Sequence, residues 1–88
     1  MTIISVNPAT EEVIYKFQED TEESLEKSLS NAAMAFEDYR AKSFEERATY
    51  LLKAAEILTN EKEKFASIIT SEMGKTFQSA ILEVEKCA

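Results

Sequence analysis

From Asp20 to Met73 the chain contains neither proline nor glycine. Proline costs a helix interior about 3 kcal/mol and glycine about 1 kcal/mol, so this stretch is free of the two residues that most often end a helix. The apolar residues within it recur at helical spacing. Leu25, Leu29, Ala32, Ala33, Phe36 and Tyr39 fall at i, i+4, i+7, i+8, i+11 and i+14, which is one continuous face. A chain of this kind folds into helices first and into anything else second.

The caps divide the stretch. Asp20, with Glu23 three residues on and acids crowding the first turn, predicts the first N-cap. Ser43-Phe44-Glu45-Glu46 is a capping box, so a second helix starts near Phe44 with a stripe of Ala48, Leu51, Leu52, Ala55 and Leu58. Thr59-Asn60 predicts a break and a new cap, with Glu63 at the third position of the next helix. That helix carries Phe65, Ile68, Ile69 and Met73 on one side. Gly74 is the residue expected at a left-handed helix stop. Thr76 predicts the cap of a fourth helix, whose face is Phe77, Ala80, Ile81, Val84 and Cys87.

Before Asp20 the period changes. Ile3, Ile4 and Val6 flank Asn7-Pro8-Ala9-Thr10-Glu11-Glu12 on one side, and Val13-Ile14-Tyr15-Lys16-Phe17 on the other. Pro8, the chain's one proline, fixes its own φ and pushes Asn7 out of the helical region, so a turn belongs here. The flanks are rich in β-branched and aromatic residues, which predicts a hairpin. Alternation puts Val13, Tyr15 and Phe17 on one face. The expected architecture is mainly α, three to four amphipathic helices after a short N-terminal β-hairpin. It forms one partial domain over 1–88, divided into a hairpin (1–19) and a helical segment (20–88).

The residue inventory excludes most chemistry. There is no histidine, which removes the commonest general base and a common metal ligand. One glycine cannot supply a dinucleotide fingerprint or a phosphate loop. One cysteine cannot close an internal disulfide or make a thiolate metal site. The net charge is −7, which repels phosphate backbones, so no nucleic-acid partner is expected. Seven acids and one base, Lys16, fall within residues 11–26, while residues 41–88 hold eight acids and seven bases. The acidic stretch reads as a solvated hairpin edge plus a helix start that favours acids through its dipole. Met1-Thr2-Ile3-Ile4-Ser5-Val6 has no cationic region and no long apolar run, so it does not read as a secretion signal. Nowhere do about 18 apolar residues occur together, so no membrane span is expected. A cytoplasmic protein is the expectation, and the unpaired thiol suits a reducing compartment.

Several motifs resemble one known family. Asn7-Pro8-Ala9-Thr10 followed by Glu12-Val13-Ile14 resembles the opening hairpin of the aldehyde dehydrogenases. Glu46-Arg47-Ala48 with Leu52-Lys53-Ala54-Ala55 resembles their second helix. Ile68-Ile69-Thr70-Ser71-Glu72-Met73-Gly74-Lys75 resembles their T-x-E-x-G-K element, and Glu83-Val84-Glu85-Lys86-Cys87-Ala88 the helix after it. The Met before Gly-Lys is most like the succinate-semialdehyde branch. The likeness runs through the whole chain in order. It implies the N-terminal part of the nucleotide-binding domain of an enzyme that oxidises an aldehyde to the acid with NAD or NADP. In that family the thiolate nucleophile, the glutamate base, the oxyanion-stabilising asparagine and the nucleotide site lie downstream of this region. The resemblance therefore assigns no catalytic, cofactor-binding or metal residue here, and this chain alone is expected to be inactive. A stand-alone helical interaction or oligomerisation module is the other reading. One departure is local: many members have Gly where this chain has Glu11, and a side chain there is expected to strain or loosen the turn by about 1 kcal/mol.

Individual side chains point the same way. Cys87, the one candidate thiol nucleophile, lies near a helix C-terminus, where the dipole disfavours a thiolate. Glu83, four residues earlier on the same face, disfavours it further. Glu72 and Lys75 read as helix-end surface charges. Tyr15, Tyr39 and Tyr50 read as half-buried core, and Phe36, Phe65 and Phe77 as core. The adjacent pairs Glu11/Glu12, Glu22/Glu23 and Glu45/Glu46 cannot face one another across a substrate. Helices that leave part of their apolar surface uncovered are expected to associate, so a homo-oligomer is the expected partner state.

Overall fold

The computed structural model describes residues 2–88. Strands β1 (Ile3–Val6) and β2 (Val13–Phe17) pair antiparallel and are followed by α1 (Glu22–Tyr39), α2 (Phe44–Asn60), α3 (Lys62–Met73) and α4 (Phe77–Cys87). The expected helical segment after a hairpin is therefore what forms.

The hairpin turn is closed by two backbone bonds, from Asn7 N–H to the Glu12 carbonyl at 2.9 Å and from Glu11 N–H to the Asn7 carbonyl at 2.8 Å. The Asn7 side-chain oxygen also accepts from Ala9 N–H at 2.9 Å. Glu11 takes φ 64°, the left-handed conformation that glycine adopts freely and other L-residues adopt at a cost of about 1–2 kcal/mol. The turn is not loosened; Glu11 is strained instead, because the bonds on either side hold it. The register slips between Ser5 and Val6: Val6 pairs with Val13 but Ser5 with Tyr15, leaving Ile14 as the extra residue. Tyr15 and Phe17 share a side, their rings 4.7 Å apart.

Two of the four helix starts use the expected caps. Ser43 accepts from Glu46 N–H at 3.2 Å, and the Glu46 carboxylate accepts from Ser43 N–H at 3.3 Å, as the capping box requires. Thr76 caps α4 by accepting from Ser79 N–H. The cap of α1 is Thr21 rather than Asp20, because Ser24 completes a reciprocal pair with Thr21. Asp20 instead accepts from the Ser24 hydroxyl at 2.9 Å. The break between α2 and α3 falls at Glu61, one residue past the expected Thr59-Asn60. Thr59 remains inside α2, where its hydroxyl donates to the Ala55 carbonyl at 2.9 Å and its helical backbone cannot take the extended cap conformation. Glu61 makes no side-chain cap bond. Gly74 ends α3 at φ 73°, its N–H donating to the Thr70 carbonyl at 3.0 Å.

Helices α2, α3 and α4 pack together. Their core is Ala66, Ala80 and Val84, ringed by Leu58, Phe65, Ile69 and Ile81. Two ion pairs clamp α4: Lys62 to Glu85 at 2.9 Å and Lys75 to Glu83 at 2.6 Å. Helix α1 buries no residue. The expected aromatic core does not form as a whole. Phe65 is half-buried, but Tyr15, Tyr39, Tyr50, Phe36 and Phe77 are exposed, Phe36 to 59% and Tyr15 to 60%. The stripes are real, but most have nothing to pack on. The molecule is a slab of 47 × 35 × 13 Å.

Candidate functional site

Two places gather polar and aromatic side chains. The first is the corner between α1 and α2. Arg47, in the first turn of α2, donates to the Arg40 carbonyl at 3.0 Å and so satisfies the end of α1. Its guanidinium lies 5.3 Å from the centre of the Tyr39 ring and 5.7 Å from that of Phe44, within cation–π range. Lys42 stands 6.0 Å from the Tyr50 ring. The charge that Tyr50 carries when ionised, and after it Asp38, raise the Lys42 ammonium above its ordinary value. This cluster ties the end of α1 to the start of α2, and its one amine, Lys42, is held in the protonated form.

The second is the C-terminal end of α4. One side of it is an apolar groove lined by Leu58, Phe65, Ile68, Ile69, Val84 and Cys87, with Glu83 at its edge. Cys87 is exposed, and the neighbouring Glu83 is engaged by Lys75. A dinucleotide is held by backbone N–H groups converging on its phosphates; this groove presents methyl and phenyl groups and one carboxylate. Glu85, the other acid near the end of α4, is paired with Lys62. The Glu85 carboxylate, by hydrogen bond and by charge, holds Lys62 above the usual lysine value of 10.5.

The expected surface charges at the end of α3 do more than face solvent. Glu72 accepts from the Ser5 hydroxyl at 2.5 Å, and Lys75 is the partner of Glu83. No local signal marked either link: Ser5 and Glu72 are 67 residues apart. Arg47 carries no local signal of its own in the sequence, and its place beside two rings depends on the corner between α1 and α2. Tyr15 lies on the hairpin, Tyr39 and Tyr50 at the corner, and Cys87 in the groove, so the structure does not bring them to one site. Among the described residues no three of His, Cys, Asp and Glu could jointly hold a metal ion, and no helix is long and apolar enough to cross a membrane.

Comparison with known proteins identifies the context of this layer. The chain is similar over its full length to a succinate-semialdehyde dehydrogenase (NADP(+)) of Mycobacterium leprae, with 39% identity. It is also similar to a probable succinate-semialdehyde dehydrogenase (NADP(+)) of Synechocystis at 36% and to an aldehyde dehydrogenase of Paenarthrobacter nicotinovorans at 39%. In each case it spans 19% of the relative's length. A model of the aldehyde dehydrogenase family matches residues 1–88. The chain belongs to the aldehyde dehydrogenase family.

Proposed function

We propose that this chain is the opening scaffold of the nucleotide-binding domain of an NAD(P)-dependent aldehyde dehydrogenase acting on succinate semialdehyde, and that alone it performs no redox step. The observation that carries this is the match of all 88 residues to a segment 19% of the relatives' length. The side chains agree with it. The one thiol shares its groove with a carboxylate already paired to Lys75, and the one glycine ends a helix rather than cradling a phosphate. No catalytic, cofactor-binding or metal residue is assigned to it. The unpaired thiol suits the cytosol. Purified chain mixed with succinate semialdehyde and NADP(+) or NAD(+) should produce no reduced nicotinamide by absorbance. Steady turnover at stoichiometric enzyme would sink the proposal.

The second reading, an interaction or oligomerisation module, is favoured by one observation. The accessible surface is 7510 Å², whereas a compact monomer of this mass exposes about 5,200 Å². The excess, about 2,300 Å², exceeds the roughly 800 Å² that each partner contributes to an ordinary protein interface. The two readings are compatible: a scaffold layer separated from the domain it wraps covers its faces with another copy of itself. Self-association through the α1 stripe is the partner state proposed here.

A further inference from the structure

The hairpin makes no hydrophobic core with the helices. No described residue of it is buried, and every residue of β2 is exposed. A two-stranded sheet by itself is marginal in water. Yet this one is ordered against the far end of the helical layer. Two contacts bring it there. The Ser5 hydroxyl donates to the Glu72 carboxylate at 2.5 Å, a charge-assisted bond of the stronger kind. The Pro8 ring lies so close to Gly74 that a Cβ built there would sit 3.2 Å from Pro8 Cγ.

Both contacts use irregular backbone. The register slip falls at Ser5/Val6, and such irregularities re-aim a side chain. The glycine that ends α3 is also the surface on which Pro8 rests. From these observations we infer that the hairpin is a strap, latched to the α3–α4 turn by Ser5 and Glu72, which releases as a unit while the helices stay folded. Residues 18–21, which lie in no strand or helix, are its hinge. Local units of this kind open at a lower cost than the global fold. The inference concerns the chain's own motion and does not depend on the dehydrogenase reading.

Trypsin at Lys16 reads the latch, because a two-stranded hairpin freed from the helices is marginal on its own and frays, so cleavage of that bond follows the released population. Ser5→Ala and Glu72→Ala should each speed cleavage at Lys16 about tenfold, the effect of losing one charge-assisted bond. Cleavage at Lys62 and Lys64 in α3 should keep the wild-type rate. Ser5→Thr, which keeps the hydroxyl, should restore slow cleavage, and the double variant should be no faster than either single one. Wild-type cleavage at Lys16 in both single variants would overturn the inference. So would equal acceleration at the α3 sites, since the loss would then be global, or additive effects in the double variant, since the two residues would then act apart.

Discussion

Gly74 shows how much one residue carries. It is left-handed where it stops α3, and a Cβ there would sit 3.2 Å from Pro8 Cγ, so that ring would have to move back by a few tenths of an ångström. Gly74→Ala should lower unfolding stability by about 1–2 kcal/mol from the left-handed backbone alone. The contact with Pro8 adds to this unless the strap lifts. Urea denaturation checks the size, and an unchanged midpoint would contradict it. Glu11 is the opposite case, a side chain held at φ 64°, where glycine would sit without strain. The helix stop and the strained turn were both legible, because a glycine after an apolar stripe and a non-glycine in a tight turn are local facts. The Ser5–Glu72 bond was not, because neither residue has a local reason to meet the other. Asp20 against Thr21 was a contest between two good caps, decided by the Ser24 side chain.

Elements obeyed their caps and periods more closely than their expected faces. Ser43, Thr76 and Gly74 set boundaries as their chemistry requires, while the cap of α1 and the join of α2 and α3 each moved by one residue. What holds the elements together is partly electrostatic. Lys62 is raised above 10.5 by Glu85, so the pair's stabilisation is fully present below the unfolded-state value and is lost as pH rises through the higher folded-state value. Lys62→Met should therefore lower Tm at neutral pH, and the gap from wild type should shrink above about pH 10.5, the ordinary lysine value. Added salt should narrow the same gap, since both side chains are partly solvated. A gap that does not change with pH would contradict the ion pair as its source.

For the molecule as a whole, shape is the dominant fact. The radius of gyration is 17.4 Å, against about 12 Å for a compact domain of this length. Helix α1 is amphipathic, well capped and almost unpacked, with Leu29 and Phe36 more than half exposed. Light scattering of the wild-type chain should report a dimer or larger species. Leu29→Glu with Phe36→Glu should shift it to monomer with little loss of helical circular dichroism, because these side chains leave no cavity when replaced. A monomeric wild type at high concentration would count against self-association.

Order, type and approximate ends of the elements were determined by the sequence alone, since caps, glycine, proline and apolar period act within a few residues. The same holds for the residue inventory, with no histidine, one glycine and one cysteine. Which stripes become core was decided only by tertiary structure. Ala66, Ala80 and Val84 are buried and Phe36 and Phe77 are not, because burial needs a second surface at the right distance. In this chain only α2, α3 and α4 provide one for each other.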